Sequence, residues 1–170
     1  MFEIIKLLFD ICLFRKGPQH LPYSPWLLRI TIVIYAIVNF LMINISVGWL
    51  YALFIVAIGI LIVVGFSWTM LYFGHRPGRF YQTTCALLGT DALISFFAVP
   101  GVASMAIGGM TLLAFSVMIG LMIWHWAITG HIIRNALDQT LMFGLSLAFL
   151  YLLVSYQVMV LLFPEVTGVE

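Results

Sequence analysis

Five apolar runs of about 20 residues, each bounded by helix breakers or charges, constrain this chain more than any other feature. A helix rises about 1.5 Å per residue, so about 20 residues cross a hydrocarbon core of about 30 Å. The runs cover residues 26–45, 49–73, 80–99, 110–128 and 140–163. Only 8% of the 170 residues are charged and 64% are hydrophobic. A soluble domain carries about 25% charged residues, and one this small leaves much of its surface in solvent. The expected fold is therefore all-α: a polytopic integral membrane helical bundle with the lipid bilayer as its solvent. The net charge of +1 gives no electrostatic reason to expect a nucleic-acid partner.

Residues 1–25 precede the first run. Phe2, Ile5, Leu8, Phe9 and Cys12 alternate with Glu3, Lys6 and Asp10 at roughly helical spacing. The stretch is too short and too charged to span, and it reads as an amphipathic helix lying in the membrane interface. Its acids and the lack of a small-residue cleavage site argue against a signal peptide. Pro18, Pro22 and Pro25 make the linker that follows irregular. Residues 26–163 form the five-span bundle, and residues 164–170 form a short acidic tail. Gly74-His75-Arg76-Pro77-Gly78-Arg79 is the clearest loop, and Pro100-Gly101 is expected to end the third span. Short connections make neighbouring spans antiparallel. Ala86 with Thr90, Ser116 with Gly120, and Gly144 with Ala148 put small residues at the spacing that lets helices approach closely. Gly74-His75 and Gly130-His131 form a loose internal echo, each followed by an arginine and a Gln-Thr pair.

The cations set the orientation. Arg15 and Lys16 precede the first span, Arg76 and Arg79 lie between the second and third, and Arg134 lies between the fourth and fifth. Five spans place all of these topology determinants on one side, which the positive-inside rule makes the cytoplasm of a bacterial inner membrane. Arg134 and Asp138 are four apart and are expected to pair across the last turn.

Asp91 is the only acid inside an apolar run. An ionised carboxylate in a span costs roughly 2.5–3.5 kcal/mol on insertion scales, so it must face the bundle, be protonated or find partners. Thr84, Asp91 and Ser95 are spaced by seven and four and share one helix face. Asn39, Asn44, Tyr156 and Gln157 are candidate partners from other spans. This polar site reads either as interhelical glue or as a proton or ion relay. His75, His125 and His131 are the candidates for a haem or metal. His125 and His131 point about 120° apart on one helix, whereas His75 and His131 could meet at the cytoplasmic edge. No metalloprotease pair, phosphate loop, nucleophile elbow or paired-carboxylate spacing appears. Cys12 and Cys85 have neither disulfide nor metal spacing, although Cys12 could be acylated at an interface.

Lys16-Gly17-Pro18-Gln19 and Leu21-Pro22-Tyr23-Ser24 stand just before the first span. Phe80-Tyr81-Gln82-Thr83 leads through Leu87-Leu88-Gly89-Thr90 to Pro100 in the third. With these residues the chain resembles short bacterial members of the Yip family, the Rab-GTPase-interacting-protein type of five-span membrane protein. The resemblance implies a five-span architecture with a cytoplasmic N-terminal segment, and it implies no defined reaction and no set of site residues.

The sequence thus points first to a non-enzymatic inner-membrane protein, an accessory subunit or scaffold that meets other membrane proteins or copies of itself, with no cofactor implied. The alternatives are a small proton-coupled transporter centred on Asp91, and a haem-binding electron-transfer subunit. A reporter that works only in the cytoplasm, fused after Glu170, is expected to stay silent. A strong signal would mean an even number of spans, with the connection between Val99 and Met110 as the place to look.

Overall fold

The computed structural model describes residues 2–45, 47–108 and 112–164. Among these, helices α1 (Phe2–Cys12), α2 (Pro25–Asn44), α3 (Trp49–Phe73), α4 (Phe80–Gly108), α5 (Leu112–Leu137) and α6 (Leu141–Leu162) make up nearly all of the chain, and no strand occurs. Helices α2 to α6 are each long and apolar enough to cross a membrane. Side-chain oxygens start two of them. Ser24 accepts a hydrogen bond from the Leu27 amide before α2, and Thr140 accepts one from the Phe143 amide before α6. Pro25 sits in the first turn of α2, where its missing N–H costs no bond. Three non-glycine residues, Phe14, His75 and Asp138, take left-handed backbone conformations just beyond α1, α3 and α5. Each turns the chain where a helix must stop.

Helix α4 is the centre of the bundle, with the largest buried share of the five spans. It packs against α2, α5, α3 and α1. Its small residues face neighbours: Ala86 is fully buried and Thr90 nearly so. Gly144 and Ala148 do the same for α6. A Cβ at Gly144 would run into the Gly130 carbonyl and the backbone of Arg134, so the absence of a side chain sets the α5–α6 distance. Ser116 and Gly120 differ from expectation. Both are exposed, and a Cβ at Gly120 would meet nothing within 4 Å, so this pair packs against no helix among the described residues.

Two boundaries also differ from the sequence reading. Pro100 does not end the third span, because α4 runs through it to Gly108. A proline removes one backbone bond, and in a membrane helix the freed groups are satisfied locally. Beyond the proline, Gly101 leaves room for the Met118 side chain of α5, and the Ser104 hydroxyl folds back onto the Gly101 carbonyl at 2.8 Å. The expected connection over 102–109 is therefore helical through Gly108, and the turn itself falls on residues outside the described set. Helix α5 continues to Leu137, so Gly130-His131 lies within a helix while Gly74-His75 follows one. The internal echo is not a structural repeat.

The N-terminal segment is docked on the bundle. Leu8 of α1 fills the space above Gly89 of α4, where even a Cβ would clash. Ile11 and Cys12 are buried in the main core. The Trp124 indole of α5 donates to the Cys12 carbonyl at 3.1 Å. Gly89 is nine residues into α4, so this contact lies about 14 Å along the helix from Phe80. The linker is held too: the Gln82 amide donates to the Leu21 carbonyl at 2.6 Å, and the His131 ring meets the Lys16 carbonyl at 3.0 Å. Burial pushes the Cys12 thiol up to about 11 and removes it from any acylating surface.

Gly144→Val is expected to force α6 away from α5 and to cost about 1–3 kcal/mol, the usual penalty of overpacking. Thermal unfolding in mild detergent reads this as a lowered midpoint. An unchanged midpoint would show that the two helices do not meet through this glycine.

Candidate functional site

The face of α4 that carries Thr84, Asp91 and Ser95 turns inward, as the seven-and-four spacing requires. Asp91 is the focus. Its Oδ1 lies 3.6 Å from Nε2 of His125 on α5, and the two side chains are 20% and 26% exposed. The Tyr35 hydroxyl of α2 interacts with the same carboxylate, and Tyr151 of α6 lies within its electrostatic reach. Helix α3 contributes space: a Cβ at Gly59 would come within 3.1 Å of the Tyr35 hydroxyl. Four spans thus bring polar side chains to one point, and the fifth makes room for them.

Two tryptophans aim His125. The Trp124 indole is tied to Cys12 of α1, and the Trp126 indole donates to the Leu145 carbonyl of α6 at 3.0 Å. Successive helical residues point about 100° apart. Fixing Trp124 and Trp126 on opposite neighbours leaves the residue between them facing α4. Beyond the aspartate, Ser95 donates to Oδ1 of Asn39 at 3.0 Å, and the Asn39 amide donates to the Tyr35 carbonyl at 3.1 Å. This second pair fixes the α2–α4 register and holds the backbone that presents Tyr35.

At 3.6 Å the Asp91–His125 contact is electrostatic and longer than a formed hydrogen bond. With one proton shared between carboxylate and imidazole, the pair is neutral overall, whether as an ion pair or as acid and neutral ring. With two protons it carries +1. Neutrality lowers the cost of placing it among apolar helices, and a closing of a few tenths of an ångström would bring the two groups within the hydrogen-bond distance that proton transfer needs.

Several sequence expectations find other partners. Asn39 bonds Ser95, while Asn44, Tyr156 and Gln157 are exposed. Thr84 is fully buried two turns from Asp91, and its hydroxyl has no partner among the described residues. The three histidines do not converge. His125 sits with Asp91, His131 lies under the linker against Lys16 and Asn135, and His75 is exposed in the loop. The described residues hold no group of three His, Cys, Asp or Glu placed for a metal. Asp138 pairs with Arg76 at 2.7 Å and Arg79 at 3.0 Å instead of Arg134. Arg79 also donates to the Asn135 and Ala136 carbonyls at 3.1 and 3.0 Å, closing the C-terminus of α5. The hydrogen bond and charge of Arg79, with Arg76 beside it, hold the Asp138 carboxyl below its usual range. Arg15 and Arg134 are exposed, and Lys16 pairs with Asp10 at 3.2 Å.

The Asp91–His125 pairing was hidden by the misplaced end of the third span. Asp91 stands 17 positions before Gly108, the end of α4, and His125 stands 13 after Leu112, the start of α5, so an antiparallel hairpin brings them to within about one helical turn of the same height. A turn at Pro100 would have set Asp91 against the outer part of α5. Tyr35 and Tyr151 carry no comparable signal, because tyrosines are common in membrane spans.

Comparisons with protein-family models, curated proteins and solved structures give no match. The chemistry of the site is therefore the guide to its use. Asp91→Asn is expected to leave stability nearly unchanged, since the amide keeps the size and an acceptor oxygen. Asp91→Leu leaves Tyr35 and His125 without their partner and is expected to cost about 1–3 kcal/mol. Paired thermal unfolding measurements in detergent decide this, and equal effects of the two variants would remove Asp91 from the centre of the cluster.

Proposed function

We propose that this chain is a non-enzymatic membrane component that takes up and releases a proton within the bilayer at Asp91 and His125. The observation that carries the reading is the 3.6 Å approach of a carboxylate and an imidazole from two different spans, with tyrosines of two more around them. An ionisable residue within a membrane span is a functional candidate by default, and here it has a second titratable group beside it. The placement of Arg76, Arg79, Lys16 and Arg134 at one end supports a cytoplasmic location for that end in a bacterial inner membrane. The Yip-type resemblance supports a membrane role and supplies no reaction.

A second reading, an accessory subunit or scaffold, is favoured by Ser116 and Gly120. They leave a small-residue stripe on the outside of α5, of the kind that packs helices of other membrane proteins or a second copy.

Infrared difference spectroscopy across a pH titration of the reconstituted protein tests the first reading. A protonated-carboxyl band is expected in the wild type, absent in Asp91→Asn and moved along the pH axis in His125→Gln. If the wild-type and Asp91→Asn titrations coincide, Asp91 exchanges no proton and the accessory-subunit reading stands in its place.

A further inference from the structure

The outer seam between α3 and α6 is not closed. A hollow of ≈ 510 Å³ lies between the end of α3 and the start of α6, lined by Phe66, Phe73, Gln139 and Phe143 among others. A second, of ≈ 340 Å³, lies deeper between the same helices, with Gly65 and Tyr151 in its walls. The two share Phe66, Thr69 and Leu150, so they form one continuous trough. Along α6 it runs from about Gln139 to Val154, roughly 20 Å at the helical rise. The flanking side chains of Leu61, Leu150 and Val154 are exposed, so the trough opens outward along the apolar surface of the bundle.

The trough ends at a charged rim. One wall finishes at Gly74 and the other at Leu137 and Gln139, and the Arg76–Asp138 ion pair joins these two segments. Arg79 shares the same carboxylate, and exposed Arg134 lies one helical turn before Asp138. Two guanidinium groups thus share one carboxylate at this rim, and Arg134 adds a third, exposed cation at the same end of α5. The positive end of the α6 dipole, capped by Thr140, meets the negative ends of α3 and α5 here, so the excess charge of the rim comes from its side chains. The uncompensated charge is positive, and it sits where an apolar trough meets the end of the bundle.

We propose that the α3–α6 trough binds one anionic phospholipid, with an acyl chain along Phe66, Thr69 and Leu150 and the phosphate on the arginine rim. The dimensions choose the occupant. One leaflet's hydrocarbon layer is about 15 Å deep, half of a core of about 30 Å, so a single acyl chain laid along the trough's roughly 20 Å reaches the charged rim, whereas a helix of about 10–12 Å diameter would have to lie outside it. The excess of guanidinium over carboxylate selects an anionic headgroup, since arginine binds phosphate oxygens in bidentate geometry. The site is independent of proton exchange at Asp91, although Tyr151 belongs both to the trough wall and to the aspartate cluster.

The test uses the full chain in mild detergent, stripped of lipid, then offered phosphatidylglycerol or phosphatidylcholine of identical acyl chains and read by native mass spectrometry. One phosphatidylglycerol is expected to bind, with an affinity about fivefold above phosphatidylcholine for each cation engaged. Gly65→Leu fills the trough without disturbing the helices, because a Cβ there meets nothing within 4 Å, and it should abolish retention of both lipids at an unchanged melting temperature. Arg134→Gln leaves the Arg76–Asp138–Arg79 clamp in place and should reduce the preference for phosphatidylglycerol while phosphatidylcholine binding persists. Equal retention of the two lipids by the wild type, or wild-type retention by Gly65→Leu, would mean a non-selective lipid annulus only and would overturn the proposal.

Discussion

A peptide group in hydrocarbon has no water to bond, so each span must satisfy its backbone within its own helix. Nearly everything in this structure follows from that requirement. It makes the five spans helical irrespective of the modest propensities of their valines, isoleucines and aromatics. It carries α4 through Pro100, since ending a helix inside the apolar layer would expose more polar groups than the proline does. It also explains the hydroxyls that fold back on their own helices, as Thr31, Thr90 and Ser155 do onto carbonyls three or four residues earlier.

The same requirement concentrates irregular backbone at the ends of the bundle, and there the charged residues find their work. Arg79 supplies donors to the last carbonyls of α5 and shares Asp138 with Arg76. The linker after α1 is anchored by Gln82 and His131 in the same region. Residues that look like simple topology markers in the sequence therefore also join the loops to one another. Exposed ion pairs contribute little stability individually. Their value lies in fixing the relative height of α3, α4 and α5, and that height places Asp91 beside His125.

The interior polar groups form a graded set. Ser95 and Asn39 satisfy each other and knit α2 to α4. Asp91 and His125 meet at a longer distance, with tyrosines nearby and partial exposure. A set built only to hold helices together gains most from short, fully paired contacts. The looser geometry and partial exposure at Asp91 separate the aspartate from the serine and asparagine one turn away.

The class of fold was legible in the sequence because apolar run length and charge placement are local properties. The five spans, the amphipathic first helix and the inward face shared by Thr84, Asp91 and Ser95 all follow from spacing along the chain. The boundary at Pro100 was not legible, because a proline that would end a helix in water is carried through one in an apolar layer, where α5 packs Met118 against Gly101. That single boundary shifted the register of α4 against α5 and hid His125 from Asp91. The pairing of Asp138 with Arg76 and Arg79 in place of Arg134, and the docking of α1 against Gly89, were likewise beyond local reading. Each depends on which helix lies beside which, and at what height. The sequence by itself determined that the chain is a membrane bundle with one acid to accommodate. The tertiary structure decided what surrounds that acid, because apolar helices of similar length pack in many registers and only their summed side-chain contacts select one.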